Sequence, residues 1–65
     1  MTKLEAIKAM EEGKKVTHMY FDKDEWISIQ NGKILTEEGY LHDQNEFWGY
    51  RTNECFNNDW SIYNI

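Results

Sequence analysis

The hydrophobic positions at the start of the chain follow a helical period. Leu4, Ala6, Ile7 and Met10 fall within one side of a 3.6-residue repeat, while Glu5, Lys8, Glu11 and Glu12 can face water. Thr2 and Glu5 have the spacing of a capping box, in which the hydroxyl accepts from the first-turn backbone and the carboxylate reaches back. Gly13 supplies a left-handed terminus, and Lys14 and Lys15 stand near the negative end of the helix dipole. The pattern predicts a helix over residues 3–12 that needs a docking surface, because a helix this short is marginal alone.

From Val16 the period changes to two. Val16, His18 and Tyr20 share one face and Thr17, Met19 and Phe21 the other, which predicts a strand covered on both sides. Asp22-Lys23-Asp24 reads as a turn, and Glu25 to Gln30 alternates again. Asn31-Gly32 is a strong two-residue hairpin signal. With those two as the loop, Gln30 pairs with Lys33, Ile29 with Ile34 and Ile27 with Thr36, which puts Ile27, Ile29 and Ile34 on one face. Glu37-Glu38-Gly39 turns the chain again, and His42 to Glu46 reads as a polar loop. Phe47 to Arg51 reads as another strand or an aromatic platform, Thr52 to Asn58 as polar with a helical turn, and Trp60 to Ile65 as the closing strand. One helix followed by strands on short turns implies an α+β domain over residues 1–65. The expected architecture is a short N-terminal helix packed on an antiparallel sheet of four to five strands.

A chain of 65 residues buries only about 60% of the surface its unfolded form exposes. Cys55 is the only cysteine, so no internal disulfide can compensate. Cys55, His18 and His42 lack zinc-ligand spacing, and no cofactor motif is present. Three Trp, four Tyr and three Phe leave aromatic packing or self-association as the stabilising devices. Trp26 and Trp60, at strand starts, read as core residues. No run of apolar residues is long enough to cross a bilayer, the first residues do not read as a secretory signal, and a lone thiol fits the cytoplasm.

The formal charge is −5, from twelve acidic and seven basic residues. That balance argues against direct nucleic-acid binding. Catalytic constellations are sparse: Ser28 and Ser61 lie in no nucleophile elbow, Asp22 and Asp24 lack the rest of a calcium loop, and there is no glycine-rich phosphate loop. The expectation is a binding protein that is not an enzyme. His18 and Tyr20 alternate on one strand, and Trp48, Tyr50 and Arg51 cluster later. Flat rings stack on nucleobases, and an Arg fork pairs with phosphate. His18 also fits a hydrogen-bonded core position, and Arg51 a carboxylate-paired surface position.

The segment Glu5-Ala6-Ile7, Ala9-Met10 and Glu12-Gly13-Lys14-Lys15-Val16, with Asp59-Trp60-Ser61-Ile62-Tyr63 at the other end, resembles small phage proteins of the Thoeris anti-defence family, second type. Those proteins open on an acidic, alanine-rich helix running into Gly-Lys-Lys-Val and close on Asp-Trp followed by a hydrophobic residue. Residues 5–16 and 59–63 carry the likeness. Thr17, His18 and Tyr20 depart from the basic residue and tryptophan common in the family, and Phe47 to Arg51 has no counterpart there.

The resemblance implies a homo-oligomer that sequesters nucleotide second messengers, notably cyclic ADP-ribose isomers, in the host cytoplasm. In that picture Tyr20 and Trp48 are stacking candidates and His18 and Arg51 phosphate candidates. A basic patch drawn from Arg51, Lys14, Lys15 and His18 would then converge. The alternative is an acidic inhibitor of a host defence or nucleic-acid-binding protein, with acids such as Asp22, Asp24, Glu37 and Glu38 in a row.

Overall fold

The computed structural model describes residues 1–64; Ile65, the last residue of the expected closing strand, lies outside them. Helix α1 (Lys3–Glu11) is followed by β1 (Val16–His18), β2 (Ile27–Gln30), β3 (Lys33–Thr36) and β4 (Leu41–His42). Helix α2 (Gln44–Gly49), a 3-10 turn (Glu54–Asn57) and β5 (Trp60–Ile62) complete the chain. The strands form one sheet in the order β4-β3-β2-β1-β5, with each neighbouring pair antiparallel. The domain is therefore α+β, an N-terminal helix on a five-stranded antiparallel sheet. No helix among the described residues is long and apolar enough to cross a membrane.

The capping box forms as the spacing predicts. Glu5 N–H donates to Thr2 Oγ1 at 3.2 Å, and Thr2 N–H donates to Glu5 Oε1 at 2.8 Å. These bonds from Thr2, the backbone one first, hold the Glu5 carboxyl below its ordinary value. Ala6, Ala9 and Met10 face the sheet. Leu4 does not join them; it is 78% exposed. At the other end Gly13 adopts φ +91°, which ends the helix without side-chain strain.

The hairpin has the expected register, Gln30 opposite Lys33 through Ile27 opposite Thr36. Asn31 and Gly32 both take positive φ, 53° and 78°, as a tight two-residue loop matched to strand twist requires. Ile27 and Ile34 are buried and Ile29 packs against them.

Two expected strands differ. The strand from Val16 ends at His18, and Met19 and Tyr20 are exposed, not covered. The chain turns there because Phe21 N–H donates to the His18 carbonyl at 2.9 Å and Tyr20 N–H donates to His18 Nδ1 at 3.1 Å. Residues 47–51 are not a strand either. Asp43 caps α2 by accepting from Asn45 N–H and Glu46 N–H, and this local cap overrides the β preference of the aromatic residues.

Both helices bury side chains in the core formed by Ala6, Ala9, Met10, Val16, Ile27, Ile34, Phe47 and Trp60. Trp60, 2% exposed, is the largest of them. Replacing such a residue with alanine costs about 3–5 kcal/mol, a large share of the total available to any small domain.

Thr2→Ala should cost about 1 kcal/mol, read as a midpoint lowered by roughly 4–8 °C in thermal melts. Because the Glu5 carboxyl is held below its ordinary value only in the folded helix, its contribution is complete at neutral pH. It should fade as pH falls through the carboxylate range; Glu5→Gln should remove that dependence, while Thr2→Ala, which keeps the backbone N–H, should remove only part of it.

Candidate functional site

The four residues expected to bind ligand do not converge. His18 is 2% exposed. Its Nε2 lies 2.8 Å from the Cys55 carbonyl and 2.9 Å from the Asn58 carbonyl, while Nδ1 accepts from Tyr20 N–H. Two carbonyl partners require hydrogen on Nε2, and the Tyr20 amide requires a lone pair on Nδ1. Every polar position of the ring is thus used to tie the 3-10 turn and the β1 turn together. His18 is a core residue.

Tyr20 is 68% exposed and close to the His18 ring, at 5.5 Å between centroids. Trp48 is half-buried, edge-on against Phe47 at 5.0 Å and Trp60 at 5.7 Å, with Lys3 Nζ 4.4 Å from its ring centroid. Its Nε1 is buried without a hydrogen-bond partner among the described residues. Packed this way, Trp48 joins the aromatic cluster around Trp60 and is not among the residues lining the cleft with Arg51.

Arg51 lies over the Phe47 ring at 3.9 Å, and its Nη1 donates to the Phe47 carbonyl at 3.3 Å. It lines a cleft of about 310 Å³ together with Glu25, Glu37, Glu38, Glu46 and Tyr50. Four glutamates line the same cleft as one guanidinium, so a phosphate there would meet net repulsion at distances where screening is incomplete. Asp22 and Asp24 are not among the groups lining this cleft. The acidic concentration is real, but Glu25 and Glu46 supply it in their place.

Cations and aromatic faces coincide elsewhere. A groove of about 450 Å³ runs between Gly13–Lys15 and Ile62–Asn64. Its geometry follows from sheet register. Val16 is opposite both Ile27 and Ile62. Continuing those antiparallel pairings by one residue sets Lys15 beside Tyr63, and Tyr63 N–H donates to the Lys15 carbonyl at 2.9 Å.

Lys15, Trp26 and Tyr63 are each one residue removed from a side chain on the core side, so they project from the opposite face. Lys15 Nζ stands 4.2 Å from the Trp26 ring centroid, and the Trp26 and Tyr63 rings are 6.4 Å apart at 39°. Trp26, expected in the core, is half-buried on this open face. Lys14 is exposed and lines the same groove, 3.8 Å from Glu12. Lys14 and Lys15 line the same groove, and Arg51 and His18 are not among its lining residues.

Such a groove can hold an anion against its lysines and a planar ring against Tyr63. Among the described residues no three His, Cys, Asp or Glu side chains are grouped to hold a metal ion. No family model, curated protein or solved structure matches the chain.

His18→Leu should lower unfolding free energy by roughly 2–4 kcal/mol, since it strands two carbonyls and an amide in the interior. Urea titration checks this. Unchanged stability would return His18 to the list of groups free to bind ligand.

Proposed function

We propose that this protein is a non-catalytic binding protein that sequesters a nucleotide-derived signal, such as a cyclic ADP-ribose isomer, through the groove of Lys14, Lys15 and Tyr63, beside which Trp26 lies. The observation that carries the reading is a groove lined by two lysines and Tyr63, with the Trp26 ring against Lys15 Nζ and close to Tyr63, on an otherwise acidic chain. A nucleotide messenger presents the complementary pair, an anionic phosphate group and a flat base.

The likeness of residues 5–16 and 59–63 to phage Thoeris anti-defence proteins supports the same reading and suggests action in the host cytoplasm. Both segments of that likeness border the groove: Lys14 and Lys15 come from the first and Tyr63 from the second. Sequestration needs affinity and slow release and no reaction. A groove on a sheet face covers a ligand from one side only, and self-association would supply a second wall.

The acidic cleft supports a second reading, an inhibitor that meets a basic surface of a host protein. Glu25, Glu37, Glu38 and Glu46 converge there beside Tyr50, which is 88% exposed. Tyrosine is a frequent anchor at such interfaces.

A thermal-melt panel of cyclic ADP-ribose isomers and cyclic oligonucleotides separates the two. Ligand at about 100 times its dissociation constant adds roughly 2.7 kcal/mol, a rise of roughly 10–20 °C for a domain of this size. One messenger should produce that rise and be recovered chemically unchanged. The Lys14→Met, Lys15→Met double variant should melt normally alone and lose most of the ligand effect. A flat panel with folded protein would favour the acidic cleft and a protein partner.

A further inference from the structure

We propose that Asn31-Gly32 is a modification site that the fold holds closed. The Asn31 side-chain amide is lost slowly, giving aspartate or isoaspartate, only when the hairpin opens, and Gln44 restrains that opening. Asn31 is the only asparagine followed by glycine in the chain. It is exposed, and no atom lies within 4 Å of the place a Gly32 Cβ would take. Neither residue lines the lysine groove or the acidic cleft.

The reaction needs only water. The Gly32 backbone nitrogen attacks Asn31 Cγ and gives up its proton to solvent as the new N–Cγ bond forms. The Cγ–Nδ2 bond breaks, Nδ2 leaves as ammonia, and a five-membered succinimide remains. Water then opens that ring. Opening at Cγ restores the normal backbone with an aspartate side chain. Opening at the Asn31 backbone carbonyl carbon leaves the chain running through Cγ, as isoaspartate. Glycine favours the first step because it places no side chain beside the attacking nitrogen.

The folded geometry opposes ring closure. Asn31 has φ +53° and Gly32 φ +78°. In that left-handed well ψ stands at about +47°, which sets the Gly32 nitrogen nearly opposite Asn31 Cβ. The ring requires the two to be eclipsed, so ψ must turn by almost half a revolution. A two-residue loop cannot absorb that turn while Gln30 stays paired with Lys33. Gln44, the first residue of α2, adds a second restraint, its Nε2 donating to the Gly32 carbonyl at 2.8 Å. Isoaspartate, once formed, adds a methylene to the main chain of the loop. The register that buries Ile27 and Ile34 is then lost.

Peptide mapping by mass spectrometry tests this on the full chain, incubated in mildly alkaline buffer with and without enough urea to unfold it. In urea Asn31 should convert faster than every other asparagine. Without urea it should convert at least about tenfold more slowly, because reaction waits on local opening. Gln44→Ala should speed the native reaction by about two- to fivefold, as expected for one exposed hydrogen bond, and change nothing in urea. Thr2→Ala, which weakens the cap of α1, should leave the native rate at Asn31 unchanged and so separates a local restraint from general loss of stability. Asn31→Asp, which carries the charge without the extra methylene, should melt close to the native midpoint, and the isoaspartate form well below it. Equal rates with and without urea, or no conversion in either, would overturn the proposal. A Gln44→Ala rate equal to the native one, or matched by Thr2→Ala, would overturn the restraint by Gln44.

Discussion

The contact on which most else depends is Trp60 against His18. Their ring centroids are 4.8 Å apart and nearly perpendicular, and Phe21, Trp48 and Phe56 gather around the same indole. The polar edges are satisfied as well: Trp60 Nε1 donates to the Phe56 carbonyl, and His18 Nε2 meets the carbonyls of Cys55 and Asn58. One aromatic pair thereby fastens the 3-10 turn and β5 to β1. Met1 adds two further bonds, its amine donating to the Trp60 carbonyl and its carbonyl accepting from Trp60 N–H. In a chain with a single cysteine, this knot ties the C-terminal segment to the rest of the sheet.

The location of the groove follows from that knot. Because Trp60 is held opposite His18, the antiparallel register brings Ile62 opposite Val16 and Tyr63 alongside Lys15. The core face and the face that carries Lys15, Trp26 and Tyr63 are alternate sides of the same sheet, so packing strength on one side sets geometry on the other. Charge is divided between distinct surfaces. Glu25, Glu37, Glu38 and Glu46 line one cleft with Arg51, while Lys14 and Lys15 border a groove that no carboxylate side chain among the described residues lines. Net charge alone says little about such a chain, since two lysines in the right register can act locally against an acidic total.

Features built from near neighbours were legible in the sequence. The Thr2–Glu5 cap, the Gly13 terminus and the Asn31-Gly32 hairpin with its register are all determined by residues a few positions apart. The second helix escaped detection because Asp43 caps its first turn within a stretch that reads as polar loop, ahead of residues with strand preferences. The groove was hidden for a different reason. Lys14 and Lys15 have a sufficient local explanation in the helix dipole, and only the pairing of β1 with β5, from opposite ends of the chain, brings Tyr63 to them. His18 shows the converse: its alternation with Tyr20 suggested a shared face, but its own ring nitrogen accepts the Tyr20 amide and turns that residue outward.

The most direct test of the groove is a ¹H–¹⁵N NMR titration of the protein with cyclic ADP-ribose isomers, following backbone amides and the three indole N–H signals. Binding at the groove predicts saturable shifts at Lys14, Lys15 and Tyr63 and at the Trp26 indole, with the Trp60 indole and the Arg51 region little changed. Saturable shifts centred on Arg51, Tyr50 and Glu37, or none at any concentration, would contradict it.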